Sequence, residues 1–238
     1  MNKKSLVISI VSNLVIILVI GLVFVGSLSS VGVSIVNGKN NAIYRGNQAE
    51  KNVTPMFNVY WGTEYIEEIL QVLEARNVKT TFFVGGSWVA KNPETLKLIV
   101  EKGHEIGTHG YFHKNAEELN YKQNADEIEM SCRIIEQYVG YRPTLFAPPS
   151  GSIGNDMFNV CKDMNMTVIM WSKDTIDWRD KDDNLVLKRA TSDIQNGELI
   201  LMHPTAHTLS ALPKILDFYL EDGFNIVPVS KNIAPSQV

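Results

Sequence analysis

Cysteine is scarce in this chain. Only Cys132 and Cys161 occur among its 238 residues, too few for a disulfide scaffold, and no C-x-x-C spacing offers a zinc or thiol-redox pair. Both fall on stretches that read as apolar helix faces, where a cysteine behaves as a small core hydrophobe. A bond between the two stays open on the outer side of a membrane. Positive charge is not in excess either. Lys and Arg number 22 against 26 Asp and Glu, a formal net charge of −4, so the basic face that holds nucleic acid is missing. Internal repeats and low-complexity tracts are absent. What remains is 45% hydrophobic and 20% charged, the balance of a globular protein that buries a core without staples.

One segment departs from that balance. Lys3 and Lys4 precede an apolar run from Leu6 to Val25, interrupted only by Ser, Asn and Gly. About 20 such residues are long enough to cross hydrocarbon as a helix, and the lysines keep the N-terminus cytoplasmic. A cleaved signal has a shorter core, about 7 to 15 residues, but Ser27, Ser29 and Ser30 offer a small-residue cleavage site. Secretion is thus the alternative to a single-pass anchor in the cell membrane. The expected organisation is an anchor over 1–33, a linker rich in Asn, Gly and charge over 34–53, and an extracytoplasmic folded domain over 54–232.

Within that domain short strand-like runs alternate with amphipathic helices. Thr54–Tyr60 predicts a strand, and Ile66, Ile69, Leu70 and Leu73 then fall at helical spacing. Thr80–Val84 is a β-branched and aromatic strand. Asn92-Pro93 opens a helix as cap and first-turn proline. His104–Thr108 predicts a strand, and Ile128, Cys132, Ile135 and Val139 a helix closed by Gly140. Strands follow at Leu145–Phe146 and Thr167–Trp171, separated by a helix carrying Met157, Val160, Cys161 and Met164. A helix over Leu185–Ile194, the strand Leu199–Met202, a last helix through Leu212 and Tyr219, and the strand Asn225–Val229 complete the order. About seven strands alternating with helices is an α/β arrangement with a largely parallel sheet or barrel.

Function in such folds gathers at the C-terminal ends of strands. The five histidines, 104, 109, 113, 203 and 207, all lie near two such ends. His109 and His113, spaced i and i+4, can reach one metal if their loop coils into a turn, although a catalytic metal usually takes three protein ligands. The same spacing also suits two partly exposed turn histidines. His203 follows a buried strand and can act as a general acid or base if a carboxylate, Asp174 or Asp177, orients it. A hydrogen-bonded structural histidine is the alternative.

Taken in order, these pieces resemble the polysaccharide deacetylase family, carbohydrate esterase family 4, also called the NodB-homology domain. The likeness covers roughly residues 54 to 230 and implies a distorted (β/α) barrel. It also implies metal-dependent removal of acetyl groups from N-acetylated glycans, peptidoglycan above all for an anchored envelope protein. Gly103-His104-Glu105-Ile106-Gly107 and His109-Gly110-Tyr111-Phe112-His113 resemble the family's second motif, which implies His109 and His113 as metal ligands, with zinc the first choice. Asp174-Thr175-Ile176-Asp177-Trp178 resembles the fourth motif, and Leu201-Met202-His203 the fifth. The resemblance implies His203 as the catalytic acid, Asp174 as its orienting partner, and Leu201, Trp178, Asp177 and Pro149 as substrate contacts.

Two motifs are degenerate. Where the family reads Thr-Phe-Asp-Asp-Gly, with a catalytic base and then a metal ligand, this chain has Met56-Phe57-Asn58-Val59-Tyr60. Asn58 is a neutral amide that cannot take water's proton, and Val59 has no donor atom. The third motif's Arg, which holds the base in the family, is Ala147. The losses are mutually consistent, because an arginine without its carboxylate would be a buried unpaired charge costing about 3–5 kcal/mol. Three readings follow: an altered metal-dependent N-deacetylase whose missing ligand comes from Glu64 or Asp177, a catalytically silent glycan-binding domain, and a scaffold.

Overall fold

The computed structural model describes residues 42–235, and the predicted anchor over 1–33 lies outside them. Among the described residues no helix is long and apolar enough to cross a membrane.

The strands are β1 Ala42–Ile43, β2 Asn52–Val59, β3 Thr81–Val84, β4 Glu105–Thr108, β5 Leu145–Phe146, β6 Thr167–Ile169, β7 Lys173–Asp174, β8 Glu198–Met202 and β9 Asn225–Ile226. They form one sheet in the order β1-β6-β5-β4-β3-β2-β8-β7, with β9 added beside the start of β2. Every strand ladder in it is parallel. The helices are α1 Thr63–Glu74, α2 Gly86–Lys91, α3 Pro93–Glu101, α4 Tyr121–Val139, α5 Asn155–Asp163, α6 Asp183–Thr191, α7 Ala206–Glu221 and α8 Val229–Asn232. The sheet curls in half-barrel form: β6 pairs with β5, and only three residues later β7 pairs with β8. The strand expected over Thr167–Trp171 is therefore shorter, ending at Ile169, and β7, which lies beyond the expected span, pairs on the other side of the curl.

Strand alternation sorts β2 into two faces. Met56 turns inward to a cluster with Phe83, Leu145, Leu199 and Leu201. Val53, Phe57 and Val59 turn outward to a larger cluster with Ile66, Ile69, Leu70 and Leu73 of α1 and Leu212, Ile215 and Leu216 of α7. All eight β2 residues are buried, as expected for a strand covered on both sides. Each of the fully buried aliphatic side chains on the helices contributes about 1.5–3 kcal/mol. Helix α4 is closed at both ends by its sequence. Asn120 and Gln123 form a reciprocal capping box, and Gly140 ends the helix at φ 80°.

The segment expected to be a linker is part of the fold from Ala42 onward. β1 pairs with β6, Gly46 N–H donates to Gly197 O at 2.7 Å, and Arg45 pairs with buried Glu198 at 3.0 Å. Its Asn and Gly content serves these close approaches: a Cβ on Gly46 would lie 2.4 Å from Asn232 Oδ1. The last predicted strand is shorter than expected, because the chain turns at Pro228 into α8. Cys132 and Cys161 are both free and buried, and burial pushes each thiol up to about 12.

Candidate functional site

A cavity of about 560 Å³ opens at the C-terminal ends of the central strands, lined among others by Asn58, His109, His113, Asp174, Leu201 and His203. Each of these arrives by strand geometry. Asn58 is on the inner face of β2 one residue before its end, His109 follows β4, Asp174 ends β7, and Leu201 and His203 flank the end of β8.

His109 is buried, and its Nδ1 lies 2.7 Å from the carbonyl oxygen of Ala147. A carbonyl only accepts, so the proton sits on Nδ1 and Nε2 keeps its lone pair. Burial, reinforced by the neighbouring His113, pushes the imidazole down to about 3, so it is neutral, the state that ligates metals. The His113 ring is edge-on to His109 at 4.9 Å between centroids, and burial likewise lowers its pKa. The loop between them is anchored from α4. Glu127 Oε2 accepts the N–H groups of Tyr111 and Phe112 at 3.0 and 2.8 Å. No local sequence signal marks Glu127, since its partners lie 15 and 16 residues away.

His203 stands on the opposite wall. Its Nδ1 is 2.8 Å from Asp177 Oδ1, and its own backbone N–H donates to Asp177 Oδ2 at 2.6 Å. Thr208 donates its hydroxyl to the same oxygen. The orienting carboxylate is therefore Asp177, not Asp174, which corrects the roles expected for the pair. The backbone is the cause: Ile176 has φ 53°, so the loop doubles back and tucks Asp177 under His203. Asp177, expected as a substrate contact, is buried at 2% exposure and lies behind the cavity wall, under His203. Asp174 does line the cavity. Its Oδ1 accepts the Ile176 N–H at 2.8 Å, and burial holds its carboxyl above the ordinary range.

Leu201 and Trp178 line the cavity as expected. Pro149 does not: it is buried beside Gly110, and its neighbours Ser150 and Gly151 provide the wall instead. Trp61 lies parallel to the His203 imidazole, 5.8 Å between centroids and 6° between planes. Its loop is fixed by Gly62, at φ 76°, where a Cβ would come within 2.0 Å of the Pro204 carbonyl. Trp61 and Trp178 are 45% and 54% exposed, open to a ligand at the rim.

The degenerate positions explain what the cavity lacks. Asn58 enters it with Oδ1 buried and without a hydrogen-bond partner. Val59 faces away, fully buried in the helix-side cluster. Ala147 is fully buried on the inner face. Among the described residues no group of three His, Cys, Asp or Glu side chains could hold a metal ion. Glu64 lies exposed in the first turn of α1, and Asp177 is committed to His203, so neither completes the pair. Two imidazoles and one neutral amide do not match a catalytic centre of three charged or imidazole ligands with an open position.

The polysaccharide deacetylase family model matches residues 45–169, more than half of the chain. The Bacillus subtilis protein YlxY, itself uncharacterized, is 36% identical over 189 residues, 79% of this chain and 59% of its own length. The Bacillus subtilis peptidoglycan-N-acetylmuramic acid deacetylase PdaC is 33% identical over 69% of this chain and 35% of its own. The chain thus spans about three fifths and one third of these two relatives. The crystal structure of Bacillus anthracis BA3943, described as a CE4 family pseudoenzyme, superposes with a TM-score of 0.80 at 36% identity, covering 83% of this chain and 70% of that one. A mutant of BA3943 described as having restored enzymatic activity superposes with the same TM-score. In sequence, fold and site position alike, the chain belongs to the polysaccharide deacetylase family.

Proposed function

We propose that this domain binds a glycan of the peptidoglycan class in its cavity without hydrolysing it, and that residues 1–33 hold it at the outer face of the cell membrane. The observation that carries the reading is Asn58. It occupies the wall of the cavity where the resemblance places the catalytic base, and its buried carbonyl oxygen is unpartnered. A neutral amide takes no proton from water, and among the described residues no Cys, Asp or Glu completes a metal site with the two histidines. What the chain keeps suits binding. Exposed Trp61 and Trp178 present ring faces on which sugars stack, while Leu201 and Trp171 give an apolar wall. The peptidoglycan deacetylases and the pseudoenzyme among its relatives are consistent with either a silent or an active site.

The second reading, an altered N-deacetylase, is favoured by one observation, the fixed Asp177–His203 pair with its free Nε2. In that case His203 would donate the proton to the leaving amine. A divalent metal would have to supply the water activation that these residues do not. Binding is tested by tryptophan fluorescence on titrating chito-oligosaccharides and muropeptides into the full chain. Saturable quenching, weakened about tenfold in Trp61→Ala as expected for losing about 60 Å² of apolar contact at about 25 cal/mol per Å², supports the proposal. Absence of binding to every glycan refutes it.

A further inference from the structure

The charge on the cavity wall is one-sided. Among the described residues no lysine or arginine lines it. The lining carboxylate is Asp174. Its Oδ1 accepts the Ile176 N–H, and its Oδ2 accepts no hydrogen bond among the described residues. Arg189, on the helix behind it, is bonded elsewhere, to Asp180 at 2.6 Å and to the Thr175 carbonyl at 3.0 Å, and acts on Asp174 only through its field, as does Arg179. The same cavity is lined by four aromatic rings, Tyr60, Trp61, Trp171 and Trp178. Aromatic faces attract cations, and the outer one of these already does, with the Arg179 guanidinium 6.0 Å from the Trp178 ring centroid.

A partly desolvated carboxylate with one oxygen free of hydrogen bonds, in a cavity also lined by indole rings and with no lysine or arginine ion-paired to it among the described residues, is a receptor for an ammonium group. We propose that the cavity prefers glycans carrying free amino groups, that is de-N-acetylated glucosamine residues, over their N-acetylated counterparts. The proposal rests on the glycan-binding reading above and names its ligand. An acetamide N–H offers the Asp174 carboxylate a hydrogen bond from a neutral donor. The ammonium of glucosamine offers the same bond from a cation, which adds the attraction between two opposite charges. A domain built this way reads the product of N-deacetylation, whereas the reaction itself needs the acetylated form.

The test is calorimetric titration of the full chain with two tetrasaccharides of identical linkage, fully N-acetylated and fully de-N-acetylated, repeated in Asp174→Asn and Asp174→Glu. Expected is tighter binding of the amine, with about a ten- to hundredfold loss in Asp174→Asn, as for a hydrogen bond to a charged group worth 1.5–3 kcal/mol. Asp174→Glu should retain part of the preference, and binding of the acetylated form should change little in either variant. Equal or tighter binding of the acetylated sugar, unaffected by Asp174→Asn, overturns the inference while leaving glycan binding intact. Failure of both sugars to bind overturns the glycan-binding reading and the inference with it.

Discussion

Replacing Asn58 by Asp is the perturbation that probes the cavity most sharply. The side chain is 4% exposed, and among the described residues its Oδ1 has no partner and no lysine or arginine lines the cavity. A carboxylate there is desolvated and uncompensated, so its folded-state pKa rises well above the ordinary value near 3.9. With a shift of about two to three pH units at 1.4 kcal/mol each, Asn58→Asp should lose about 3–4 kcal/mol at pH 7. The sign follows from linkage. The folded pKa lies above the unfolded one, so the penalty is full above the folded pKa. It fades as pH falls through that value toward the unfolded pKa. Urea denaturation at pH 7 and pH 5, in the presence of a chelator, measures it. Ala147 is fully buried on the same inner face, and an arginine there would restore the family's pairing. A double-mutant cycle with Ala147→Arg should then return a favourable coupling of about 2 kcal/mol or more. An Asn58→Asp variant as stable as the parent at pH 7, with no coupling to position 147, would refute the reasoning, because it would mean that compensating positive charge already faces Asn58.

The loop carrying the histidine pair depends on Glu127. Glu127→Ala strands two backbone N–H groups and should cost about 2–4 kcal/mol in denaturation, with Glu127→Gln losing less because an oxygen acceptor remains. Buried His104 accepts the Thr80 N–H at Nδ1, 3.2 Å, while its Nε2 has no partner, and burial, followed by Lys79, lowers it from 6.5 to about 4. Its folded pKa lies below the unfolded one, so stability should fall as pH drops from about 6.5 through about 4. The loss is on the order of 3 kcal/mol at 1.4 kcal/mol per pH unit. His104→Phe should flatten that limb of the pH–stability curve, and an unchanged curve would contradict the assignment.

The elements with local signals were legible in the sequence. Apolar spacing marked α1, the Asn-Pro pair marked α3, Gly140 marked the end of α4, and the β-branched run marked β3. The histidine pair and His203 were likewise visible as polar residues at strand ends. What stayed hidden was written in long-range partners. Arg45 meets Glu198 across 153 positions, so residues 42–53 resembled a linker. α2 begins at Gly85-Gly86, which signals no helix, and is held by Gly110 and Tyr111 carbonyls. The choice between Asp174 and Asp177 turned on one left-handed residue, Ile176, in a type seldom found there. Glu127 looked like one more acidic residue on an amphipathic helix until the loop folded onto it.

As proposed, the cavity holds a glycan and does not deacetylate it. The direct measurement is acetate release from peptidoglycan and chito-oligosaccharides by the full chain with zinc supplied, made on the same samples in which glycan binding is recorded. The account predicts saturable binding with acetate no higher than in a protein-free blank. Catalytic acetate release that disappears in His203→Ala would contradict it, and would make the site an N-deacetylase that works without an aspartate at position 58 or 59.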